Sequence, residues 1–384
     1  MVASCELAII GAGPSGIAAG VAGRARGLDV VLLEAGPTVA HRWRTHYDRL
    51  HLQALRRREG LPGRPIPRSV GRWVSRDAYA GYLDELAAES GLRIELGRRV
   101  ERVEPDGDAW RLAIESGAVV TADQVVVATG QDRTEKLPDW PGLDSFAGRF
   151  MHSRGYRNAE PFAGLDVLVV GGGQSAAEIA VDLVEGNARR VWMAIRSTPI
   201  ILPRQLTRYV CIQDLLGFAA TRRVPPAVLD RALLLVHRLF AGDLTRVGLA
   251  APSDGLMARM SRGAGAPILD GVGFLRMLKA GQIGVVPGVD AFDGDEVVCG
   301  NRRIRADVVI AATGFTMDLE PLVGHLGVLD GRGRPRTLAP EPALPGLYFL
   351  GYEFSPSGLL WKMGRQAPLM AESMFAGDAV VGRP

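Results

Sequence analysis

"VVGGGQSAAEIA", Val169 to Ala180, decides the fold, because it repeats in outline a turn the chain has already made at "IIGAGPSG", Ile9 to Gly16. In both places an apolar run stops at closely spaced glycines and gives way to an alanine-rich segment with helical spacing. A buried strand, a glycine turn and a helix open a βαβ unit, so two copies about 160 residues apart predict two units of one kind.

The first unit can be followed to its end. Leu7 to Ile10 reads as a strand, Gly11, Gly13 and Gly16 as the turn, and Pro14 and Ser15 as the start of a helix reaching about Arg26. "DVVLLE", Asp29 to Glu34, is the next parallel strand and ends in an acid about 18 residues after the last glycine. The glycines remove Cβ atoms that would hold backbone N–H groups away from a pyrophosphate, and the helix N-terminus adds partial positive charge. Glu34, with Ala35 beside it, is placed to accept hydrogen bonds from a ribose diol; the plainer alternative is a solvated carboxylate at a strand end.

The second unit has Asp166 to Val170 as strand, Gly171 and Gly173 as turn, Gln174 and Ser175 opening the helix, and Ala176 where a third glycine would stand. Alanine is tolerated there because that position governs helix packing. The next strand, "RRVWMAIRS", ends in Arg196 and Ser197, where the first unit had Glu34. A 2′-phosphate about 4 Å from a carboxylate is repelled by roughly 4 kcal/mol per unit charge at an effective dielectric near 20, and attracted comparably by a guanidinium. The first site is therefore expected to take FAD or NAD, and the second NADPH through Arg196, unless that arginine is merely a surface ion-pair partner. Two adjacent dinucleotides imply hydride transfer between them, which selects FAD for the first.

A further echo, "ADQVVVATG" (Ala122 to Gly130) and "ADVVIAATG" (Ala306 to Gly314), follows a run of short alternating strands in each half, Arg99 to Val120 and Ile283 to Ile304. The small residues Ala128, Thr129 and Gly130, and Thr313 and Gly314, let the chain pass close to a dinucleotide. The expected fold is α/β, with two Rossmann-like dinucleotide-binding domains, each bearing a small antiparallel layer. The FAD domain is expected from 1–160 and 306–384. The NADPH domain is inserted as 161–305, with a helical insertion at about 202–262.

Composition narrows the function. Hydrophobic residues make up 47% and charged residues 23% of 384, with net charge +3, the balance of a globular protein. The basic run Arg56-Arg57-Arg58 has no interleaved aromatics and reads as a solvated face, so no nucleic-acid partner is expected. Cys5, Cys211 and Cys299 are far apart and form no C-x-x-C, which argues against disulfide exchange. His41, His46 and His51 at steps of five would scatter around a helix, so no metal site is expected. Leu7 to Ile10 enters the glycine turn without a basic leader, giving an expected cytoplasmic location. Ala227 to Phe240 is too short and too charged to span a bilayer and reads as an amphipathic helix, so no stable membrane insertion is expected. Between monomer and homodimer the sequence leaves the assembly open.

Between the two turns lies "FAGRFMHSRGY", an F-x-G-x-x-x-H-x-x-x-Y pattern on Phe146, Gly148, His152 and Tyr156. With it the chain resembles the class B flavin-containing monooxygenases. The likeness extends through "WRTHYDRLHL", "SRDAYAGYL", "APILDGVGFLRMLKAGQIGVVPGV" and "GLYFLGY", and is strongest to the indole-3-pyruvate monooxygenase branch and its bacterial relatives. The resemblance implies a cycle in which NADPH reduces FAD, O₂ forms a C4a-(hydro)peroxide on it, and one oxygen atom passes to a small organic substrate. An amine or thioether, or an aromatic 2-oxo acid undergoing oxidative decarboxylation, fits that cycle. A Baeyer–Villiger reaction is weaker because Tyr156 is followed by Arg157; a redox sensor binding both cofactors without oxygenation is the non-enzymatic alternative. By the same resemblance Gln53, His152 and Tyr156 join the catalytic set. His152 and Tyr156 would share one face if helical, or brace a domain junction. Trp43, Arg44, Leu50, Val100 and Gly351 join the cofactor contacts, as do Leu359 and Leu360 ahead of a helix expected from about Met363.

Overall fold

Leu7, Ala8 and Ile9 have no exposed surface, because the strand Ala3–Ile10 is paired in parallel on both edges, with Val30–Glu34 and with Val119–Val127. An unbroken apolar run of this kind suits a parallel strand covered on both faces. The computed structural model describes residues 3–61, 63–262, 266–353, 355 and 358–376. They divide into one unit of 1–45, 55–134 and 315–384 and another of 46–54 and 135–314.

In the first unit the parallel strands run in the order Arg93–Leu96, Val30–Glu34, Ala3–Ile10, Val119–Val127, Leu347–Phe349. Val119–Val127 is shared: its C-terminal end pairs with Leu347–Phe349, and its N-terminal end pairs antiparallel with Ala109–Ile114, which continues to Val100–Asp106. The helix Pro14–Arg24 packs against Arg76–Glu89 and the final helix, Leu359–Ala376. That last helix begins four residues earlier than the expected Met363, because Gly358, at φ +98°, makes the turn and its carbonyl accepts from Lys362 N.

The second unit's parallel sheet runs Ile283–Val286, Arg190–Ala194, Asp166–Val170, Val308–Ala311, Arg149–His152, matching the first strand for strand. Its antiparallel layer is a separate sheet of Ala291–Asp293, Glu296–Cys299 and Arg302–Arg305. Ile283–Val286, expected among the alternating strands, belongs instead to the parallel sheet, consistent with its near-continuous burial. Residues 135–160 and 306–314, expected with the FAD domain, group with this unit because Arg149–His152 is hydrogen-bonded in register to Val308–Ala311.

The insertion at 202–262 is not wholly helical. Ile201–Pro203 pairs with Ile268–Asp270 and Gln205–Thr207 with Val210–Cys211, before the helices Ile212–Thr221, Pro226–Ala241 and Leu256–Ser261. Pro226–Ala241 buries Leu229, Leu233, His237 and Ala241 on one face yet leaves Val228, Leu235 and Leu239 exposed, so it is apolar on two faces. The basic run is also not a solvated face. Only Arg57 is exposed; Arg56 donates to Ile66 O at 2.7 Å and Arg58 lies over the Trp361 ring. Among the described residues no helix is long and apolar enough to cross a membrane, and no group of His, Cys, Asp or Glu could hold a metal.

Candidate functional site

The first glycine turn is built for close approach. A Cβ on Gly11 (φ +107°) would lie 2.7 Å from Ala128 O, and one on Gly16 would lie 1.9 Å from Gly11 O, whereas one on Gly13 would meet nothing within 4 Å. Two glycines thus permit backbone packing and the third leaves open space before an uncapped helix N-terminus at Pro14, a geometry that fits a pyrophosphate. Glu34 is locked onto the turn: its Oε2 accepts from Ala12 N and its Oε1 from Gly36 N, each at 2.7 Å, with Ala35 exposed beside it.

Other expected contacts converge here by way of the C-terminal segment. Ser15 is buried against Met363 Sδ at 3.5 Å, and Gly351 passes so close that a Cβ would sit 2.1 Å from Ser15 Oγ. The Tyr352 hydroxyl accepts from Thr129 N at 3.0 Å and pairs with Thr129 Oγ1 at 2.8 Å, fixing the chain between buried Ala128 and Gly130 (φ +82°). Trp43 sits edge-on to Tyr79, with ring centroids 4.8 Å apart, and Arg44 is ion-paired with Asp84. Val100 is buried in the apolar core of this unit, and Leu359 and Leu360 form the first turn of the last helix.

The second turn repeats the backbone with one change. A Cβ on Gly171 (φ +145°) would lie 2.4 Å from Ala312 O, and Gly173, like Gly13, faces open space ahead of Gln174 and Ser175. Ala176 is fully buried at the position equivalent to Gly16. Arg196 and Ser197 are exposed just past the strand Arg190–Ala194, and the Arg196 guanidinium has no hydrogen bond or ion pair among the described residues. Thr313 Oγ1 donates to Lys136 O.

His152 and Tyr156 do not share a helix face, because a single 3₁₀ turn, Ser153–Gly155, separates them. His152 closes its strand, where Nδ1 accepts from Arg154 N, so Nε2 carries the proton and donates to Gly314 O at 3.1 Å. Tyr156 is fully buried and donates to Asp182 Oδ2 at 2.6 Å; burial, then Asp182, holds its hydroxyl far above the usual phenol range. Leu50 packs on the apolar core of this unit.

Gln53 leads to a group the sequence reading missed. Its Nε2 donates to Glu178 Oε1 at 2.8 Å, where Gln174 Nε2 also donates at 2.7 Å, while the Tyr47 hydroxyl donates to Oε2 at 2.7 Å. Glu178 is only 2% exposed, one helical turn beyond the glycines. Burial, then the Glu178 charge, holds the Tyr47 hydroxyl well above its ordinary range. Nearby, burial pulls the Arg204 guanidinium down against the opposing charges of Glu178 and Asp270. A hint was present: Glu178 interrupts an alanine and β-branched helix face four residues after Gln174.

Two glycine cradles on matching parallel sheets, one ending in an acid and the other in a guanidinium, define a two-dinucleotide flavoprotein oxidoreductase. The sequence matches the flavin-binding monooxygenase-like family over residues 113–325 and the pyridine nucleotide-disulphide oxidoreductase family over 8–205. It is 34% identical to indole-3-pyruvate monooxygenase YUCCA1 of Oryza sativa subsp. japonica, covering 92% of this chain and 87% of that protein. It is 35% identical to YUCCA4 of the same plant, covering 91% and 83%. The fold is similar to a flavin-containing monooxygenase from Stenotrophomonas maltophilia, with TM-score 0.74 and 24% identity over 98% of this chain and 99% of that one. The chain belongs to the flavin-binding monooxygenase-like family, and is an FAD- and NADPH-dependent monooxygenase. The disulphide oxidoreductases share the frame, but the three cysteines here are all free.

Proposed function

We propose that this enzyme oxidatively decarboxylates an aromatic 2-oxo acid, and that its two cradles divide the cofactors by the charge at the end of the second strand. The observation that carries the substrate reading is the 34% identity, over 92% of the chain, to an indole-3-pyruvate monooxygenase. The reaction balances as 2-oxo acid + O₂ + NADPH + H⁺ → the acid shortened by one carbon + CO₂ + H₂O + NADP⁺.

In this reading the open space at Gly13 admits the FAD pyrophosphate, and Glu34, fixed by two backbone N–H groups, accepts from the ribose diol. Gly173 admits the NADPH pyrophosphate, and Arg196 with Ser197 meets the 2′-phosphate. FAD held in the first cradle would supply hydride acceptance and oxygen activation, chemistry that belongs to the cofactor. The chain's own residues orient the partners and exclude water. His152 and Tyr156 serve as positioning residues: one holds the Gly314 carbonyl and the other ties its loop to Asp182. The proposal includes a cytoplasmic enzyme with no nucleic-acid partner, a reading favoured by the internal use of Arg56 and Arg58, and a homodimer that sedimentation of the holoenzyme would reveal.

The test is turnover of the FAD-loaded protein with NADPH and ¹⁸O₂ on indole-3-pyruvate and phenylpyruvate. One labelled oxygen in the acid and one CO₂ per NADPH support the reading. Oxygenation of thioethers or amines with 2-oxo acids inert would replace it with N/S-oxygenation, and a lactone or ester from a ketone would replace it with Baeyer–Villiger chemistry. Reduction by NADPH without any oxygenated product would make the protein a sensor.

A further inference from the structure

The insertion holds a cavity of about 370 Å³, and none of its lining residues belongs to a glycine turn or to the Arg196–Ser197 strand end. Small-molecule sites run from roughly 300 to 1,000 Å³. Buried Leu244 and Leu249 and half-buried Leu234 and Pro252 make its walls apolar, while exposed Arg238 and Asp243 stand at the rim. Gly242 also lines it, beside Lys279, whose Nζ would lie 3.7 Å from a Cβ there. Lys279 ends the helix that leads into Ile283–Val286, so this side of the cavity lies towards the N-terminal ends of the parallel strands. A dinucleotide sits at the opposite, C-terminal ends.

His237 lines the same cavity and is only 6% exposed. Its Nδ1 lies 3.1 Å from both the nitrogen and the oxygen of Ile201. In the neutral ring it accepts from the buried N–H, the costlier group to leave unpaired, and in the charged ring it donates to the carbonyl. Nε2 therefore carries a proton in both states, and it has no partner among the described residues. The surrounding charges are mostly positive. Arg259 acts on the ring from the helix packed alongside, Arg238 follows it in its own helix, and Lys279 stands at Gly242. The acids are engaged: Asp230 accepts from Met257 N and Ala258 N, and Asp243 accepts from Thr245 N and Oγ1, with Arg246 nearby. The strand Ile201–Pro203 brings no charge.

We propose that this cavity is a small-molecule site, separate from the two glycine cradles, that binds an arylalkyl monocarboxylate with His237 Nε2 donating to the carboxylate. Apolar walls take the ring, and an N–H at the floor with a surplus of cations takes the anion. The site stands whichever substrate is oxygenated.

The test is calorimetric titration of the FAD-loaded protein with phenylacetate and with its neutral counterpart, phenylacetamide. The charge-assisted contact predicts one site at which the acid binds about 10-fold more tightly than the amide. Burial holds the free His237 ring below the ordinary histidine pKa, and a bound carboxylate favours its charged form. Binding should therefore take up a proton and tighten as pH falls from about 8 to about 6, which titration in two buffers of different ionisation enthalpy measures. His237→Gln keeps a donor without a charge, and should abolish both the proton uptake and the preference for the acid. Ala251→Trp fills the cavity from its exposed rim and should abolish binding, which keeps the test open should the His237 variant fail to fold. Arg196→Ala should bind phenylacetate as the parent does. No binding at millimolar phenylacetate, or equal binding of acid and amide, overturns the proposal. So does tighter binding of 2-phenylethylamine, which would make Asp243 the reader. Phenylacetate still bound by Ala251→Trp, or lost in Arg196→Ala, would place it elsewhere and overturn the site. No turnover enters these measurements, so their failure leaves the 2-oxo acid reading standing, and failure of that reading leaves the cavity's ligand unaffected.

Discussion

Gly16 and Ala176 occupy the same place in two turns with nearly the same backbone, yet the constraints on them differ. In the first cradle a methyl group at Gly16 would fall 1.9 Å from the Gly11 carbonyl oxygen; in the second, Ala176 carries that methyl in a fully buried site. The residues at the ends of the two second strands also differ. Both oxygens of Glu34 are held by backbone N–H groups, while Arg196 stands exposed and unpaired among the described residues. The first cradle carries a carboxylate fixed by two backbone N–H groups, and the second an exposed guanidinium. Under the proposed function the fixed acid belongs to the FAD cradle and the exposed guanidinium to the NADPH cradle.

The largest expected break is at Gly16. Gly16→Ala should cost at least about 3 kcal/mol and yield flavin-free protein, because the Gly11 backbone that the new methyl meets cannot yield. Ala176→Gly should cost only about 0.5–1 kcal/mol, the helix-interior penalty of glycine. Urea unfolding and flavin absorbance measure both, and a fully yellow Gly16→Ala protein would erase the distinction between the turns. Next comes Arg196→Ala, predicted to raise the KM for NADPH about 10–100-fold through loss of a charge-assisted contact, with NADH little changed. Equal effects on the two coenzymes would show that the guanidinium does not read the phosphate.

A smaller effect is expected at Tyr156→Phe, about 1–2 kcal/mol of stability with the NADPH KM unaltered, since Asp182 loses one buried donor but keeps Arg49. A changed KM at unchanged stability would make Tyr156 more than a brace. The smallest concerns the insertion, which has no counterpart in the first unit. Burial lowers the pKa of His237, whose Nδ1 accepts from Ile201 N. The unfolded chain then binds the proton more readily than the folded one. This contribution is therefore complete above the ordinary histidine pKa of about 6.5 and declines as pH falls below it. Tm measured from pH 8 to 5 should fall at the acid end, less so in His237→Gln; an identical slope in both would remove the histidine from the account.

How much of this was legible in the sequence follows from chain separation. The glycine turns, Glu34 and the Ala-Thr-Gly strand ends were readable because each is a local solution to a backbone problem. The attachment of the antiparallel layers was not, because "alternating strands" is satisfied equally by hairpins growing off Val119–Val127 and by a free sheet at 291–305. His152 could be named but not assigned a partner, since the Gly314 carbonyl lies 162 residues away. The Glu178 cluster was invisible for the same reason: Gln53 and Tyr47 reach it across 125 and 131 residues. Arg56 and Arg58 misled because a run of like charges says nothing about which carbonyls and rings await it.

The nine residues His46 to Ala54 belong to the second unit although the chain on either side of them belongs to the first. A genetic fragment covering only 135–314 would therefore lack the phenol and the amide that cap Glu178, and expose an acid in what should be its interior. Anyone grafting this second unit onto another oxygenase must carry the short N-terminal loop with it. On the ribosome, likewise, the module's earliest piece emerges long before the rest, and must wait for its partners to be synthesised.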